Sequence, residues 1–133
     1  NVPVGTPIRM LLDDAGLKRG TYGVILGGPM MGTSIPNDDF VVTKSNNALL
    51  ALTEDEVPSP TSCIHCGRCA SHCPMKLNPA AIEQALNIDK LDRVKALYAE
   101  YCMECGSCAF NCPARRPLAQ SMRIAKNKLR RKI

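Results

Sequence analysis

The eight cysteines of this 133-residue chain fall into two runs that share one spacing. The first run has cysteines at positions 63, 66, 69 and 73, and the second has them at 102, 105, 108 and 112. Each run reads C-x2-C-x2-C-x3-C-P, the spacing that places thiolates around [4Fe–4S] clusters. The sequence therefore predicts two such clusters, and together they use every cysteine in the chain.

The last cysteine of each run is predicted to serve the cluster of the other run. Three cysteines at two-residue spacing wrap one cluster, whereas the fourth, followed by proline, turns away and reaches the second cluster in two-cluster proteins. The predicted ligands of cluster 1 are Cys63, Cys66, Cys69 and Cys112. The predicted ligands of cluster 2 are Cys102, Cys105, Cys108 and Cys73. Gly67 and Gly106 follow the second cysteine of each run, where we expect a side chain to crowd the cluster or the turn.

Other cysteine chemistry fits this spacing less well. Disulfide frameworks staple longer loops than these tight triplets allow, and zinc sites use C-x2-C pairs without a third cysteine two residues on. His65 and His72 lie within the first run. Because four thiols already complete each ligand set, both histidines are expected at the surface or beside the ligands rather than on the metal.

Charge is unevenly placed along the chain, whose formal net charge is +5. Residues 1–114 carry nine basic and twelve acidic residues, a net of −3, while residues 115–133 contain no acidic residue. The basic residues of this last segment are Arg115, Arg116, Arg123, Lys126, Lys128, Arg130, Arg131 and Lys132. They predict either a solvated helix face or a docking surface for anionic lipid or an acidic electron carrier. Nucleic acid is disfavoured because no aromatic residues interleave with these charges.

Residues 1–53 contain the strand-like patterns and predict a small α+β domain. A helix is expected from an N-cap at Thr6, with Pro7 in its first turn, to Gly16 just beyond its end. Strands are predicted at 22–26, 40–43 and 48–52. An acidic, proline-containing linker is predicted at 54–60.

Residues 61–133 are predicted to be a helical domain that carries both cysteine runs. Asn78 and Asp89 are predicted N-caps of two helices between the runs, and Pro117 is predicted to open the last helix. Helices between the runs, in place of a short hairpin, make this part similar to the α-helical ferredoxin modules of the iron–sulfur subunits of succinate dehydrogenase and fumarate reductase.

A second resemblance comes from residues 1–53. The string Gly27-Gly28-Pro29-Met30-Met31-Gly32, with Val4-Gly5-Thr6-Pro7 before it and Thr43-Lys44 after it, is similar to the RnfC family. The resemblance covers the whole chain and implies that the first domain is an SLBB (β-grasp) domain, here without its opening hairpin. It also implies a preceding Rossmann-like domain for FMN and NADH, so we expect the chain to be part of a longer protein. The string itself is predicted to be a tight turn rather than a cofactor contact.

The resemblance implies electron transfer in the NADH-side subunit of an ion-translocating ferredoxin:NAD oxidoreductase. It implies a peripheral position on the cytoplasmic side of a bacterial membrane, with other Rnf subunits as partners. Ferredoxin or an anionic membrane surface is then expected to meet the basic segment. Two alternatives stay open, a cobalamin reductase of a microcompartment and a β-grasp docking module with structural clusters. No residue of the chain is predicted to act as an acid, base or nucleophile.

Overall fold

A computed structural model describes residues 2–17, 23–52 and 59–131. The chain divides into two compact units, residues 1–58 and residues 59–133. The first unit combines one helix with a small antiparallel sheet, and the second is helical. The mixture of helices and antiparallel strands confirms the α+β class. Residues 54–58 of the predicted linker and Tyr22 of the first predicted strand lie outside the described residues.

The first unit packs helix α1, Ile8–Asp14, onto a three-stranded sheet. Its strands are β1, Gly23–Leu26, β2, Thr33–Ile35, and β3, Leu49–Leu52. β1 lies in the middle and pairs antiparallel with both neighbours. The buried core consists of Ile8, Leu12 and Val24, and the apolar stripe of α1 supplies two of these three side chains.

The string from Gly27 to Gly32 forms the turn that joins β1 to β2. The Gly32 N–H donates to the Gly28 carbonyl at 2.8 Å, which closes the turn. A Cβ on Gly32 would lie 2.5 Å from that carbonyl oxygen and from Ile25, so a larger residue cannot occupy the position. Gly27 has a φ of +103°, a conformation that side chains disfavour. The string is therefore a turn built on backbone contacts.

Three details of the first unit differ from the sequence prediction, and one of them is β2, which none of the predicted strands covers. Thr6 is not the N-cap, because the helix begins at Ile8 after an extended Pro7, and the Thr6 hydroxyl donates to the Pro3 carbonyl instead. Residues 40–43 do not form a regular strand but make an isolated bridge between Val41 and Pro7. One contact accounts for the lost cap, since the Ile8 N–H that a cap would serve donates to the Phe40 carbonyl instead.

The second unit contains two long helices and several short ones. They are α2, Arg68–Ser71; α3, Pro79–Asn87; α4, Leu91–Ala96; a 3₁₀ turn, Ala99–Tyr101; α5, Ser107–Phe110; and α6, Leu118–Arg131. α3 and α6 pack together around Ile82, Val94, Met122 and Ala125, which are almost fully buried. Within the described part of the chain, no helix is both long and apolar enough to span a membrane.

Helix ends in the second unit test two predicted caps. Asn78 caps α3 as predicted, since its side-chain oxygen accepts the Ala81 N–H at 3.1 Å. Asp89 is not a cap, because α4 begins after Lys90 and Asp89 has a φ of +51°. Asp89 instead follows the end of α3, where the N–H groups of Asp89 and Lys90 donate to the carbonyls of Leu86 and Ala85 in the last turn of that helix.

We expect Leu12→Ala to lower the free energy of unfolding of the first unit by about 2 to 5 kcal/mol, because Leu12 is 2% exposed in a small core. Met10→Ala is the control, since Met10 lies on the same helix but is 60% exposed, and should change stability by less than about 0.5 kcal/mol. Urea unfolding of the full chain, followed by circular dichroism, measures both. Equal losses in the two variants would contradict the described core.

Candidate metal centres

The two cysteine runs adopt one backbone conformation twice. Left-handed φ values recur at matching places, at positions 65, 67 and 76 in the first run and 104, 106 and 115 in the second. α2 and α5 begin at equivalent positions, and so do α3 and α6. The sequence repeat is therefore a structural repeat that extends into the long helices.

Gly67 and Gly106 turn the chain from each C-x2-C loop into the following short helix. Their φ values are +75° and +79°, in the left-handed region that favours glycine. A Cβ on Gly67 would meet no protein atom within 4 Å. Backbone conformation is thus a reason for glycine at position 67, while the expected crowding of a cluster by a side chain stays a prediction.

The thiols of Cys63, Cys66, Cys69 and Cys112, here called the first site, line one cavity of about 480 Å³. One water occupies about 30 Å³ of liquid, so the cavity has room for a group of many atoms. Pro113 and Ala114 close one wall, and α3 closes another. Burial raises the pKa of Cys69, and a charge on Cys112 adds to the rise, which places these thiols from different runs close together.

The thiols of Cys73, Cys102, Cys105 and Cys108, here called the second site, line a narrower, apolar cavity of about 20 Å³. Met75 and Met103 lie at its edge and are about half exposed. Flexible methionines adapt to the volume beside them, so a larger group would displace these side chains first. Cys73 and Cys102 are again neighbours from different runs.

The cysteines that line the two sites are those of the two predicted ligand sets. The donor chemistry, four thiols at each site and no carboxylate among them, suits an iron–sulfur cluster. No three His, Cys, Asp or Glu side chains of residues 2–17, 23–52 and 59–131 lie close enough together to hold a single metal ion. The ligand role of the eight cysteines stays a prediction.

Burial and hydrogen bonds give the thiols of the second site unequal acidities. Burial raises the pKa of Cys108 to about 11. A hydrogen bond with the Ser107 hydroxyl instead lowers the pKa of Cys105 below its ordinary value. Because thiols bind metal as thiolates, metal binding here must release protons.

Main-chain N–H groups reach sulfur atoms at both sites. The Glu104 N–H donates to the Cys102 Sγ at 3.3 Å. At the first site, the Ala80 N–H in the first turn of α3 opposes the rise that burial causes in the pKa of Cys69. Such bonds favour the charged sulfur and tune the group that it binds.

Arg116 is a cation beside the first site. Its Nε donates to Glu83 Oε2 at 2.7 Å, and a guanidinium nitrogen donates to the Thr61 carbonyl at 3.3 Å. The hydrogen bond to Glu83, which is 5% exposed, raises the pKa of Arg116, and charges on Cys63 and Cys112 add to the rise. This arginine was predicted only as part of a basic segment.

Lys126 is a cation beside the second site. Its Nζ donates to the Cys102 carbonyl at 2.8 Å and to Glu104 Oε1 at 2.7 Å. The hydrogen bond from Lys126 holds the pKa of Glu104 below its ordinary value, and Arg123 and Arg130 add to this effect. Periodicity places Lys126 on a helix, but no local pattern indicates that it reaches a loop so much earlier in the chain.

The histidines and Arg68 take no part in either thiol set. His65 lines the first cavity, while the His72 Nδ1 lies 2.9 Å from the Arg68 carbonyl on an exposed surface. Both positions agree with the expectation that the histidines lie beside the ligands or at the surface.

Comparison with known proteins identifies the family. A family model described as a 4Fe-4S dicluster domain matches residues 56–113, which include all eight cysteines. The C subunit of the Na⁺-translocating ferredoxin:NAD⁺ oxidoreductase complex of Acetobacterium woodii is 40% identical over 131 residues, or 96% of this chain. The C subunit of the ion-translocating oxidoreductase complex of Rhodobacter capsulatus is 42% identical over the same share, and that of Vibrio cholerae 37% identical over 71% of the chain. The chain belongs to the RnfC family.

This RnfC-family chain spans only part of the relatives that it matches. It covers 30% of the Acetobacterium protein, 25% of the Rhodobacter protein and 13% of the Vibrio protein. The dicluster match and the two thiol sites occupy the same segment of the chain, so the family confirms an iron–sulfur domain there.

We expect Arg116→Ala to lower the free energy of unfolding of the second unit by about 2 to 4 kcal/mol, because it leaves the buried carboxylate of Glu83 without its cation. Lys128→Ala is the matched control. It removes a cation of the same segment whose pair with Asp89 is exposed, and it should cost less than about 1 kcal/mol. Anaerobic urea unfolding of the full chain measures both, and similar costs would show that burial of the Glu83 pair is irrelevant.

Proposed function

We propose that this chain carries electrons through two [4Fe–4S] clusters as part of an RnfC-type subunit of an ion-translocating ferredoxin:NAD⁺ oxidoreductase. The grouping of eight thiols into two sets of four supports this function most directly. Such clusters supply one-electron chemistry when bound. In this proposal Cys63, Cys66, Cys69 and Cys112 hold the first, and Cys73, Cys102, Cys105 and Cys108 hold the second.

Proximity of the two sites supports a relay between them. Helices α2 and α5 contact each other, and Cys69 and Cys108 share one small hydrophobic core with Leu118. Both cysteines are buried, at 8% exposure. Apolar packing between the sites keeps water out and holds the thiols in fixed positions, which lets an electron pass with little rearrangement.

In this proposal, the first unit and the part of the related proteins that this chain does not cover also have roles. We assign the helix and antiparallel sheet of the first unit to an SLBB (β-grasp) domain, and residues 61–133 to an α-helical ferredoxin domain. FMN and NADH would bind to a domain outside this sequence, and the other subunits of the complex would be the partners. The proposed location is peripheral, on the cytoplasmic side of the membrane.

Paired cysteine variants test the cluster count and the exchange of the fourth ligand. Reconstituted protein should hold about eight irons and show interacting cubane signals in low-temperature EPR after reduction. We expect Cys66→Ser with Cys112→Ser to damage only the first site and leave about four irons. Cys105→Ser with Cys112→Ser should damage both sites and leave nearly none. Iron analysis and EPR check both pairs, with the exposed-residue variant Phe110→Ala as control.

The reverse pattern would contradict the exchange, because a run that kept its own fourth cysteine would lose one site in the second pair and two in the first. Fewer than about eight irons in the unsubstituted protein would contradict the two-cluster count. Clusters that form but never change oxidation state in a redox titration would favour the docking module with structural clusters.

The exposed basic residues provide a surface for an anionic partner. Arg115, Arg130 and Arg131 are exposed, whereas Arg116 and Lys126 point their charges at carboxylates inside the unit. Ferredoxin and an anionic membrane surface are the two proposed partners of this surface. Either would be held by charge attraction that salt weakens.

We expect the triple variant Arg115→Gln, Arg130→Gln, Arg131→Gln to bind anionic liposomes less than the parent chain, because about 1 kcal/mol of attraction per basic residue is lost. Co-sedimentation with anionic and neutral vesicles measures this. Equal binding of the parent chain to both vesicle types would exclude the membrane surface. Binding of reduced ferredoxin to the same variants would then test the other partner.

A further inference from the structure

Because the chain repeats, the residues around the second site can be compared position by position with those around the first. Equivalent positions of the repeat lie 39 residues apart, as Cys63 and Cys102 do. Lys126 in α6 therefore corresponds to Asn87 in α3, and Glu104 corresponds to His65. Asn87 and His65 both line the first cavity, at the places that Lys126 and Glu104 take beside the second. The second site therefore has a cation and a carboxylate where the first has an amide and an imidazole.

The contacts of Lys126 place its charge against the second site. Its side chain is 12% exposed, so water screens that charge weakly. The ammonium group donates to the carbonyl of Cys102, one of the four thiol residues. Glu104 lies in the same loop, between Cys102 and Cys105, and binds Lys126 through one carboxylate oxygen and Arg123 through the other.

We propose that Lys126 and Glu104 set the reduction potential of the second site in opposite directions. One-electron reduction at this site adds one negative charge. A nearby cation stabilises the more negative state and raises the potential, whereas a nearby carboxylate destabilises it and lowers the potential. Lys126 thus favours electron residence at the second site, and Glu104 limits that preference. This inference rests on the proposed function, since it requires a cluster at the second site.

In this inference, part of the basic segment acts on the thiol sites and not on an external partner. Lys126 and Arg116 are less exposed than Lys128, which pairs with Asp89, and each lies against one site. The two sites share their thiol spacing and loop conformation, but Arg116 with Glu83 and Lys126 with Glu104 lie at non-equivalent positions of the repeat. This different placement of charge is a direct way to make the two potentials unequal. Unequal potentials give a two-site relay a preferred direction.

The test is a redox titration by EPR, with dithionite as reductant, in the Cys66→Ser background, where we expect the second site alone to hold a cluster. We expect Lys126→Gln to lower the ratio of reduced to oxidised sites about tenfold at a fixed potential, a shift of about −59 mV for one electron. Lys126→Arg should restore the parent value. Glu104→Gln should shift the potential upwards, because it removes the negative charge of the carboxylate. The bond from Lys126 to the Cys102 carbonyl stays available in this variant.

Lys128→Gln is the matched control, since it removes the same charge from a neighbouring position of α6. The Lys128 side chain pairs with Asp89 and is 44% exposed. It should leave the potential unchanged. Shifts of one sign in both site variants, or no shift in either, would overturn the inference and leave Lys126 with a structural role. Absence of any cubane signal in the unsubstituted protein would overturn the proposed function instead. Should Lys126→Gln fail to hold iron, the upward shift of Glu104→Gln decides the matter.

Discussion

Four thiols must converge on each site, and in both sites one of the four comes from the other cysteine run. That crossing joins segments far apart in the chain, so the long helices between and after the runs must return the chain to the same place twice. The packing of α3 against α6 provides this return through the apolar residues Ile82, Val94, Met122 and Ala125, and Ser121 of α6 donates to the buried carboxylate of Glu83 in α3. With so few large apolar residues, the helical unit would gain much of its stability from metal binding.

Local chemistry accounts for the features that the sequence predicts well. Cysteine spacing depends on a few adjacent residues and indicates both thiol sets, and Asn78 caps α3 through a contact within the same helical turn. Features that depend on distant contacts were missed. β2 has no alternating apolar pattern and exists because it pairs with β1, while Thr6 loses its capping role to an interaction between Ile8 and Phe40. The place of Lys126 depends on how α6 packs, which no short pattern encodes.

Charge in this chain acts at short range more than its uneven distribution suggests. The basic segment looks like one surface patch in the sequence, yet the structure pairs Arg116 with Glu83 and Lys126 with Glu104. Each pair combines a basic residue near or within the last helix with a carboxylate from an earlier element. Because these pairs are partly withdrawn from water, they influence the thiols beside them more than exposed lysines would.

The crossed thiols also bear on how such a unit could arise. Each run lines one site with three cysteines and the other site with its fourth, so a half-length chain with one run in this conformation would leave both sites incomplete. Two copies related by a two-fold axis would complete both, each copy lending its Cys-Pro to its mate. Gene duplication and fusion of such a homodimer would yield the internal repeat seen here. Once fused, the halves no longer had to be identical, and His65 and Glu104 could diverge independently.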